Sequence, residues 1–497
     1  MRVTLFISIT LSSALALGAA WLWLRQPPAL ELRAGVPGLD DPDGRKATDA
    51  RRRTGQSFAF GELRWSATNA PPARPSGAWP QFRGPLLNGQ SPQEIPLADA
   101  FPPDGPPRRW ALKLTPGYAG ASVLNGRLYI MDHEEGRGDL LRCLDLYSGR
   151  EIWHTGYRIR IVSNHGITRT MPAVTADYIV TMSPMGQVMC VDTPTGEARW
   201  GISLPARYGT RDLSGSWYAG QCPIIDNGRA IIAPAGTNVL MIAVDCESGE
   251  VIWEAPNPGG WRMSHASITP MTVDGVRMFI YPAVGGVAAV GAEGGHAGRI
   301  LWQTDRWTAS VLMPSPVVLS GDRVFLTSGY DGGSALLQVR REPDGSFAID
   351  EKYNFSGKRL SRDCFSTYQQ TPIYFRGHLF GIQSNNARRH RMEFACVDPA
   401  VDGGTFIWTS GKDTDFTSPA KREAWGPYVL ADDKFYVMGD TGRLVMFEAT
   451  TDASRKLGEW QLLDGHEAWG PMTIVDGLLI VRDYENLVCF EIGKTED

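Results

Sequence analysis

Asp145-Leu-Tyr-Ser-Gly149-Arg-Glu-Ile-Trp153 decides the fold, because the chain repeats this stretch with the same spacing. It returns as Asp192-Thr-Pro-Thr-Gly196-Glu-Ala-Arg-Trp200 and as Asp245-Cys-Glu-Ser-Gly249-Glu-Val-Ile-Trp253. An Asp side chain accepts hydrogen bonds from the backbone ahead of it, and Gly takes the positive φ that closes a short turn. Self-similarity at a fixed period is typical of repeat architectures. We therefore predict a β-hairpin in each repeat, with its Trp on the outgoing strand, packed against the next unit.

Looser copies and a second marker allow the units to be counted. The looser hairpins are Gly298 to Trp302, Asp398 to Trp408, and Glu448 with Trp460. The second marker is a Pro that follows a few small or polar residues at the first strand of a unit, with Ser122 in its place in the first: Pro172, Pro223, Pro270, Pro316, Pro372, Pro427 and Pro471. Successive markers lie 44 to 56 residues apart, the size of one four-stranded propeller blade. The markers give eight units.

The two ends of the repeat region complement each other. The last unit stops at Cys489-Phe-Glu491 with no hairpin strand after it, and the missing strand is present ahead of the first unit as 109–114, which carries Trp110. Pairing the two closes the ring and removes both exposed sheet edges. We predict an all-β, eight-bladed propeller over 79–497, closed by this N-terminal strand. Seven blades is the alternative if the degenerate fifth unit, 315–353, is a loop region.

Composition agrees with many short strands and tight turns. The 497 residues include 55 Gly, 34 Pro and 16 Trp. The formal net charge is -5 and the basic residues are spread along the chain, so we expect no nucleic-acid binding.

The N-terminus carries the membrane signal. An uncharged run, 3–24, is long enough to span a bilayer, so 1–25 is predicted to be a signal anchor in the inner membrane of a bacterial cell envelope. The alternative is a signal peptide cleaved near Ala20, which would release the protein. Residues 26–78, rich in Pro and Arg, are predicted to be a solvated linker, within which Phe58 to Phe60 and Trp65 form a short ordered piece. Both alternatives export the propeller.

Seven cysteines are an odd number for an oxidising compartment, where pairs are expected. Four of them occupy one equivalent position, two residues before the hairpin Asp or Glu, in four different blades: Cys143, Cys190, Cys396 and Cys489. This position favours a small or soft core residue, so we interpret these four as structural. Cys222, Cys246 and Cys364 offer no convincing pair.

Candidate ligand contacts lie just before the Pro markers, because the first strand of each blade lines the central channel and its lead-in faces the funnel mouth. The candidates are His165, Arg169, Trp217, Tyr218, Gln221, His265, Tyr368, Gln370, Glu423, Trp425, His466, Glu467 and Trp469. Such a rim suits a peptide, a glycan or a planar ring. Trp425 and Trp469 share a Glu-Ala-Trp-Gly-Pro context, which equally fits simple packing of the strand start. The histidines lack ligand spacing, so a structural role competes with metal binding, and no metal site is predicted.

The hairpins, together with Trp79-Pro-Gln-Phe-Arg-Gly-Pro85 and Asn88-Gly89 ahead of the first blade, resemble the pyrroloquinoline quinone (PQQ)-like β-propeller repeat proteins. That family includes quinoprotein alcohol dehydrogenases and the BamB-like propeller subunit of outer-membrane assembly. The resemblance implies for an enzyme adjacent cysteines over the quinone, a Ca²⁺ held by oxygens and an Asp base. The chain has no adjacent cysteines and no Cys-x-x-Cys-His, and its acids near strand starts, Asp363, Glu423 and Glu467, show no diagnostic spacing.

Three functions follow as hypotheses. The first is a membrane-tethered, non-catalytic binding or scaffold module that holds an envelope protein or an extracellular ligand in its funnel. The second is an oxidoreductase of the alcohol or sugar dehydrogenase type that uses PQQ and Ca²⁺. The third is a carbohydrate-binding propeller that uses the aromatic rim. The missing enzyme signatures favour the first, because the matching hairpin serves the fold alone.

Overall fold

The computed structural model describes residues 58–494 except 93, 163–164, 212, 214–216, 357–363, 386, 388, 402 and 412–425. The strands in chain order are β1 Leu63–Ser66, β2 Gln90–Ser91, β3 Arg108–Lys113, β4 Ser122–Leu124, β5 Arg127–Glu134, β6 Gly138–Asp145, β7 Glu151–Arg158, β8 Ala173–Val174, β9 Tyr178–Met182, β10 Gln187–Asp192, β11 Ala198–Ser203, β12 Ile224–Asp226, β13 Arg229–Ile232, β14 Val239–Asp245, β15 Val251–Pro256, β16 Thr269–Val273, β17 Val276–Ala283, β18 Gly286–Gly291, β19 Ile300–Thr304, β20 Val317–Val318, β21 Arg323–Ser328, β22 Gly333–Arg341, β23 Phe347–Asn354, β24 Ile373–Phe375, β25 His378–Ile382, β26 Phe394–Asp398, β27 Thr405–Thr409, β28 Tyr428–Ala431, β29 Lys434–Met438, β30 Arg443–Glu448, β31 Lys456–Gln461, β32 Thr473–Val475, β33 Leu478–Arg482 and β34 Asn486–Glu491. A short helix, α1 (Leu204–Tyr208), follows β11, and one 3₁₀ turn, Gly294–His296, precedes β19.

The strands form eight sheets, and each sheet is one blade of a propeller. Blades 1 to 7 are β4–β7, β8–β11, β12–β15, β16–β19, β20–β23, β24–β27 and β28–β31, each a run of antiparallel neighbours in chain order. The first strands of successive blades touch each other around the axis, for example β32 with β4 and β4 with β8. The eight-bladed prediction is confirmed. The degenerate fifth unit forms blade 5 (β20–β23), so the seven-bladed alternative is wrong.

Blade 8 joins the two ends of the propeller. Its inner strands β32, β33 and β34 come from the C-terminus, and its outermost strand is β3, which pairs antiparallel with β34 from Arg108 opposite Phe490 to Lys113 opposite Asn486. The predicted closing strand therefore takes its place, and its backbone hydrogen bonds cover an edge that would otherwise be open.

The repeated hairpin has the predicted geometry. In blade 1 the Asp145 carboxylate accepts bonds from the backbone N–H of Ser148 (2.9 Å) and from its hydroxyl (2.6 Å), and Gly149 adopts φ 68°. Trp110 of blade 8 lies on this turn: its Nε1 donates to the Leu146 carbonyl at 2.9 Å, and a Cβ on Gly149 would lie 2.7 Å from its ring. The same contact recurs as Trp153 on Gly196, Trp200 on Gly249 and Trp253 on Gly298. Each of these four Trp side chains thus packs on the hairpin of the next blade.

The cysteine position is explained by this Trp. The cross-strand partners are Cys143 with Trp153, Cys190 with Trp200, Cys396 with Trp408 and Cys489 with Trp110, each beside a β-bulge. A small side chain fits beneath the indole there, as Ala243 does opposite Trp253. All seven cysteines are buried thiols, so no disulfide stabilises the ring.

The tight turns between the first and second strands have positive φ at both central residues, which produces the twist that hairpins require. These turns are Asn125-Gly126, Asn227-Gly228, Asp274-Gly275, Arg376-Gly377, Asp432-Asp433 and Asp476-Gly477. Residue pairs of the Asn-Gly and Asp-Gly kind are a direct sequence signal for these turns.

The segment before the first blade is tied across one face of the ring. Trp79, 1 % exposed, exchanges backbone bonds with Val123 of blade 1, and β2 pairs in parallel with β28 of blade 7. Arg83 is buried and its Nη2 donates to the Pro372 carbonyl at 2.8 Å. We call 79–101 the strap. It contacts the ends of the inner strands and inserts Phe82 and Arg83 into the channel between blades 6 and 8.

Part of the predicted linker is also ordered against the propeller. β1 adds a fifth strand to the outer edge of blade 1 by pairing with β7, and Phe60 packs edge-on against Tyr157. Trp65 stacks on His154 at this edge and stays 46 % exposed. The predicted domain boundary at Trp79 stays a prediction.

Candidate functional site

A pocket lies on the propeller axis, at the end where the chain enters the first strands of the blades. Its cavity volume is ≈ 450 Å³, within the range of small-molecule sites, roughly 300–1,000 Å³. The described residues that line it are Phe82, Tyr118, His165, Arg169, Trp217, Gly220, Cys222, His265, Ser267, Val311, Met313, Tyr330, Gln369, Gln370, Glu467, Trp469 and Pro471. Except for Phe82 and Tyr330, they lie in the lead-in segments before the first strands of blades 1 to 6 and 8. Phe82 enters from the strap.

Two aromatic groups line neighbouring parts of the pocket wall. At the lead-ins of blades 1 and 8 the Tyr118 ring stacks on Trp469, with ring centroids 5.2 Å apart and planes 27° apart. At the lead-ins of blades 2 and 3 His165 and Trp217 pack with ring centroids 4.6 Å apart and planes 32° apart. Three of these four rings are half-buried and His165 is exposed, so each group offers a face to the cavity. Both His165 and Trp217 have positive φ, which turns their side chains out of the strand direction.

The pocket holds two opposite charges beside Tyr118. The Tyr118 hydroxyl donates to Oε2 of Glu467 at 2.7 Å, and the Arg169 guanidinium lies 5.5 Å from the Tyr118 ring centroid. Burial, and then the bond to Glu467, raise the pKa of Tyr118 far above its usual range, so the hydroxyl stays protonated. Around Tyr118, Arg169 thus provides fixed hydrogen-bond donors and Glu467 provides a fixed acceptor.

Arg169 is held in place by the loops around it. It donates to the carbonyls of Trp217 and Gly166 and lies 5.7 Å from the ring centroid of Tyr218. Burial lowers the pKa of Arg169 to about 10, and the side chain is still cationic at neutral pH. A fixed cation at the pocket wall can bind an oxygen of a ligand without first losing side-chain freedom.

The structure brings seven of the predicted site residues together in this pocket: His165, Arg169, Trp217, His265, Gln370, Glu467 and Trp469. Trp469 is both packed on Tyr118 and open to the cavity, so the two interpretations of its context are compatible. Glu423 and Trp425 lie outside the described residues.

Four other predicted residues do not line the pocket. Tyr218 is 5 % exposed, and its hydroxyl donates to the Val162 carbonyl. Gln221 is fully buried, and its amide forms hydrogen bonds with both the N–H and the C=O of Ala233. Tyr368 packs on Tyr330, with ring centroids 4.4 Å apart, and His466 stacks on Tyr484 at the outer rim. These four support the wall and the rim.

Several lining residues were missed by the sequence reasoning. Tyr118 stands four residues before Ser122, and Val311 and Met313 stand before Pro316, so the marker rule applied to blades 1 and 5 would have found them. Gln369 is adjacent to a predicted residue. Phe82 had no such signal, because the strap reaches the axis only in the closed ring.

The described residues do not fit a Ca²⁺-supported quinone. They contain no group of three or more His, Cys, Asp or Glu side chains that could hold a metal ion. Glu467 is the one carboxylate among the described lining residues, and it accepts the Tyr118 hydroxyl. A Ca²⁺ ion needs six to eight oxygens. Asp363 and Glu423 lie outside the described residues.

The membrane prediction concerns residues before the described part. Between 58 and 494, no helix among the described residues has the length and apolar character needed to cross a bilayer.

Comparisons with known proteins agree with the fold. A search of curated proteins gave no match. Among solved structures, BamB from Moraxella catarrhalis aligns with a TM-score of 0.50 and 11% identity over 78% of this chain and 99% of its own. A europium-containing methanol dehydrogenase aligns with a TM-score of 0.56 and 12% identity, over 82% of this chain and 89% of its own. Quinohemoprotein alcohol dehydrogenase from Comamonas testosteroni aligns with a TM-score of 0.54 and 14% identity, over 84% of this chain and 81% of its own. At these identities the likeness concerns the fold alone.

The family model described as outer membrane protein assembly factor BamB matches residues 136–386, half of the sequence, so this chain belongs to the PQQ-like β-propeller family.

Proposed function

We propose that the chain is an exported, membrane-tethered, non-catalytic binding module of the bacterial cell envelope, and that the axial pocket is its binding site. The observation that carries the proposal is the pocket itself, a ≈ 450 Å³ cavity lined by partly buried aromatic rings and by two charges that are already held by neighbours. Held charges of this kind orient a ligand and are poorly placed for proton transfer or nucleophilic attack. The predicted signal anchor, 1–25, and the predicted linker that follows it support a tethered role.

The scaffold interpretation is further supported by what the pocket does not provide. Cys222 lines it singly, and burial raises the pKa of its thiol to about 11, so little thiolate forms at neutral pH. The Tyr118 hydroxyl stays protonated because it is buried and donates to Glu467. The described lining residues thus contain no activated nucleophile.

Site-specific photo-crosslinking in the native envelope tests the proposal. A photo-reactive amino acid replaces Gln369, which lines the pocket at the entrance to blade 6, and in a matched control it replaces Ile407 on β27, the outermost strand of the same blade. We expect a defined adduct of the full-length chain from position 369 and none from position 407. Identical adducts at both positions, or none at position 369, would refute the pocket as the binding site.

A further inference from the structure

We infer that the ligand of the axial pocket is a neutral, polyhydroxylated ring, that is, a sugar unit of a glycan; this inference rests on the proposed binding role. It is carried by the combination of two separate aromatic groups with a polar lining that offers the ligand both hydrogen-bond donors and acceptors.

The two aromatic groups lie next to each other on the pocket wall, at the lead-ins of blades 8 and 1 and of blades 2 and 3, and each provides a flat apolar face. Trp469 with Tyr118 forms one face, and Trp217 with His165 forms the other. An aromatic ring carries negative charge on its face and positive charge at its edge, so it attracts the weakly positive C–H bonds of a flat ring placed on it. A sugar ring presents such C–H bonds on its face and hydroxyl groups around its edge, so it can stack and hydrogen-bond at the same time.

The polar lining offers both hydrogen-bond donors and hydrogen-bond acceptors to one ligand. The guanidinium of Arg169 only donates and the carboxylate of Glu467 only accepts, whereas the amides of Gln369 and Gln370 and the hydroxyl of Ser267 do both. A hydroxyl group donates one bond and accepts others, so neighbouring hydroxyls of one ring can satisfy both charged groups. Arg169 and Glu467 both contact Tyr118, which places a donor group and an acceptor group side by side.

The same inventory disfavours anionic rings. A phosphorylated or polycarboxylated ligand offers mainly acceptors and would place its negative charge beside the Glu467 carboxylate. Arg169, the one Lys or Arg side chain among the described lining residues, already donates to two backbone carbonyls. A neutral ligand involves no such repulsion.

Titration of the full-length chain in mild detergent tests the inference. The probes are neutral oligosaccharides of two to four units (malto-, cello- and chito-oligosaccharides), and the matched negative probe is a sulfated oligosaccharide of equal length. Binding is followed by isothermal titration calorimetry. We expect saturable binding of at least one neutral series, weakened roughly 3- to 10-fold by Trp469→Ala and largely restored by Trp469→Phe. Trp65→Ala, which removes an exposed aromatic ring at the outer edge of blade 1, should leave the affinity unchanged.

The outcomes separate the inference from the proposed function. If no neutral oligosaccharide binds while the crosslinker at position 369 still captures a partner, the sugar assignment is refuted and the binding role stands. If neither experiment gives a signal, both are refuted. Preferential binding of the sulfated probe, or equal weakening by Trp65→Ala, also overturns the sugar assignment. Unfolding midpoints of the variants show whether a loss of binding comes from a loss of fold.

Discussion

Gly149→Ala tests the contact that links each blade to the next, and Gly228→Ala is its matched control. Both glycines lie in hairpin turns with nearly the same backbone, φ 68° and φ 72°. A Cβ at position 149 would lie 2.7 Å from Cδ2 of Trp110, whereas a Cβ at position 228 would have nothing within 4 Å. The two substitutions therefore share the backbone strain and differ in the contact with the indole.

The expected loss in free energy of unfolding follows from the backbone strain and from the overpacking against the indole. The left-handed backbone costs an alanine about 1–2 kcal/mol at either position. Overpacking at position 149 adds typically about 1–3 kcal/mol, because Trp110 must move from its place and strain its hydrogen bond to Leu146. We expect Gly149→Ala to lower the free energy of unfolding by about 1–3 kcal/mol more than Gly228→Ala.

The assay is urea denaturation of the full-length chain in mild detergent, followed by tryptophan fluorescence. The change in midpoint is compared at constant slope, because a changed slope would mean that the unfolding no longer involves the same two states. Equal losses in the two variants would refute the proposed coupling between Trp110 and the hairpin of blade 1.

Three further predictions concern the strap, the hairpins and the thiols. Arg83→Met should lower the free energy of unfolding by about 1–3 kcal/mol, because the Pro372 carbonyl loses its buried donor; chemical denaturation measures the loss, and an unchanged midpoint would contradict it. The carboxylate of Asp245 accepts the backbone N–H and the hydroxyl of Ser248, and these bonds hold its pKa below the ordinary value. The stabilisation that Asp245 gives the folded state is therefore present above the unfolded pKa of about 3.9 and is lost as the pH falls through the folded pKa. The melting temperature of Asp245→Asn should accordingly fall less than that of the native chain between pH 5 and pH 3, and a larger fall would contradict this sign. A thiol reagent at pH 7.5 should label no cysteine rapidly in the folded chain and seven in denaturant, because all seven are buried thiols; fast labelling of the folded chain, even at Cys222 in the pocket, would count against the structure.

Much of the fold follows from local patterns in the sequence. The Asp-to-Gly turn and the Trp four residues later fix both the hairpin and the contact to the next blade, so the repeat alone predicts the ring. The strand that carries Trp110 was recognisable as the closing strand, because it has the repeat Trp but no hairpin before it. Each of these features acts within a few residues, and local chemistry is what a sequence displays most directly.

The pocket follows less completely, because its contacts join distant parts of the chain. Tyr118 and Glu467 are separated by 349 positions and meet only when the ring closes. Gln221 lies in the expected segment, yet its amide turns inward, because it pairs with the backbone N–H and C=O of Ala233 just after β13. The marker rule therefore gives the segments that face the channel, and tertiary packing decides which side chains enter it.

The difference between a binding pocket and a quinone site is tested most directly by thermal unfolding of the full-length chain during titration with PQQ, with and without Ca²⁺. A ligand that binds only the native state stabilises it by RT ln(1 + [L]/Kd), about 2.7 kcal/mol at a hundredfold excess over Kd. The residues that line the pocket predict no saturable shift at high excess, with or without Ca²⁺. A saturable, Ca²⁺-dependent rise in melting temperature that is lost in Glu467→Gln would contradict the account and make the protein a quinone-binding propeller.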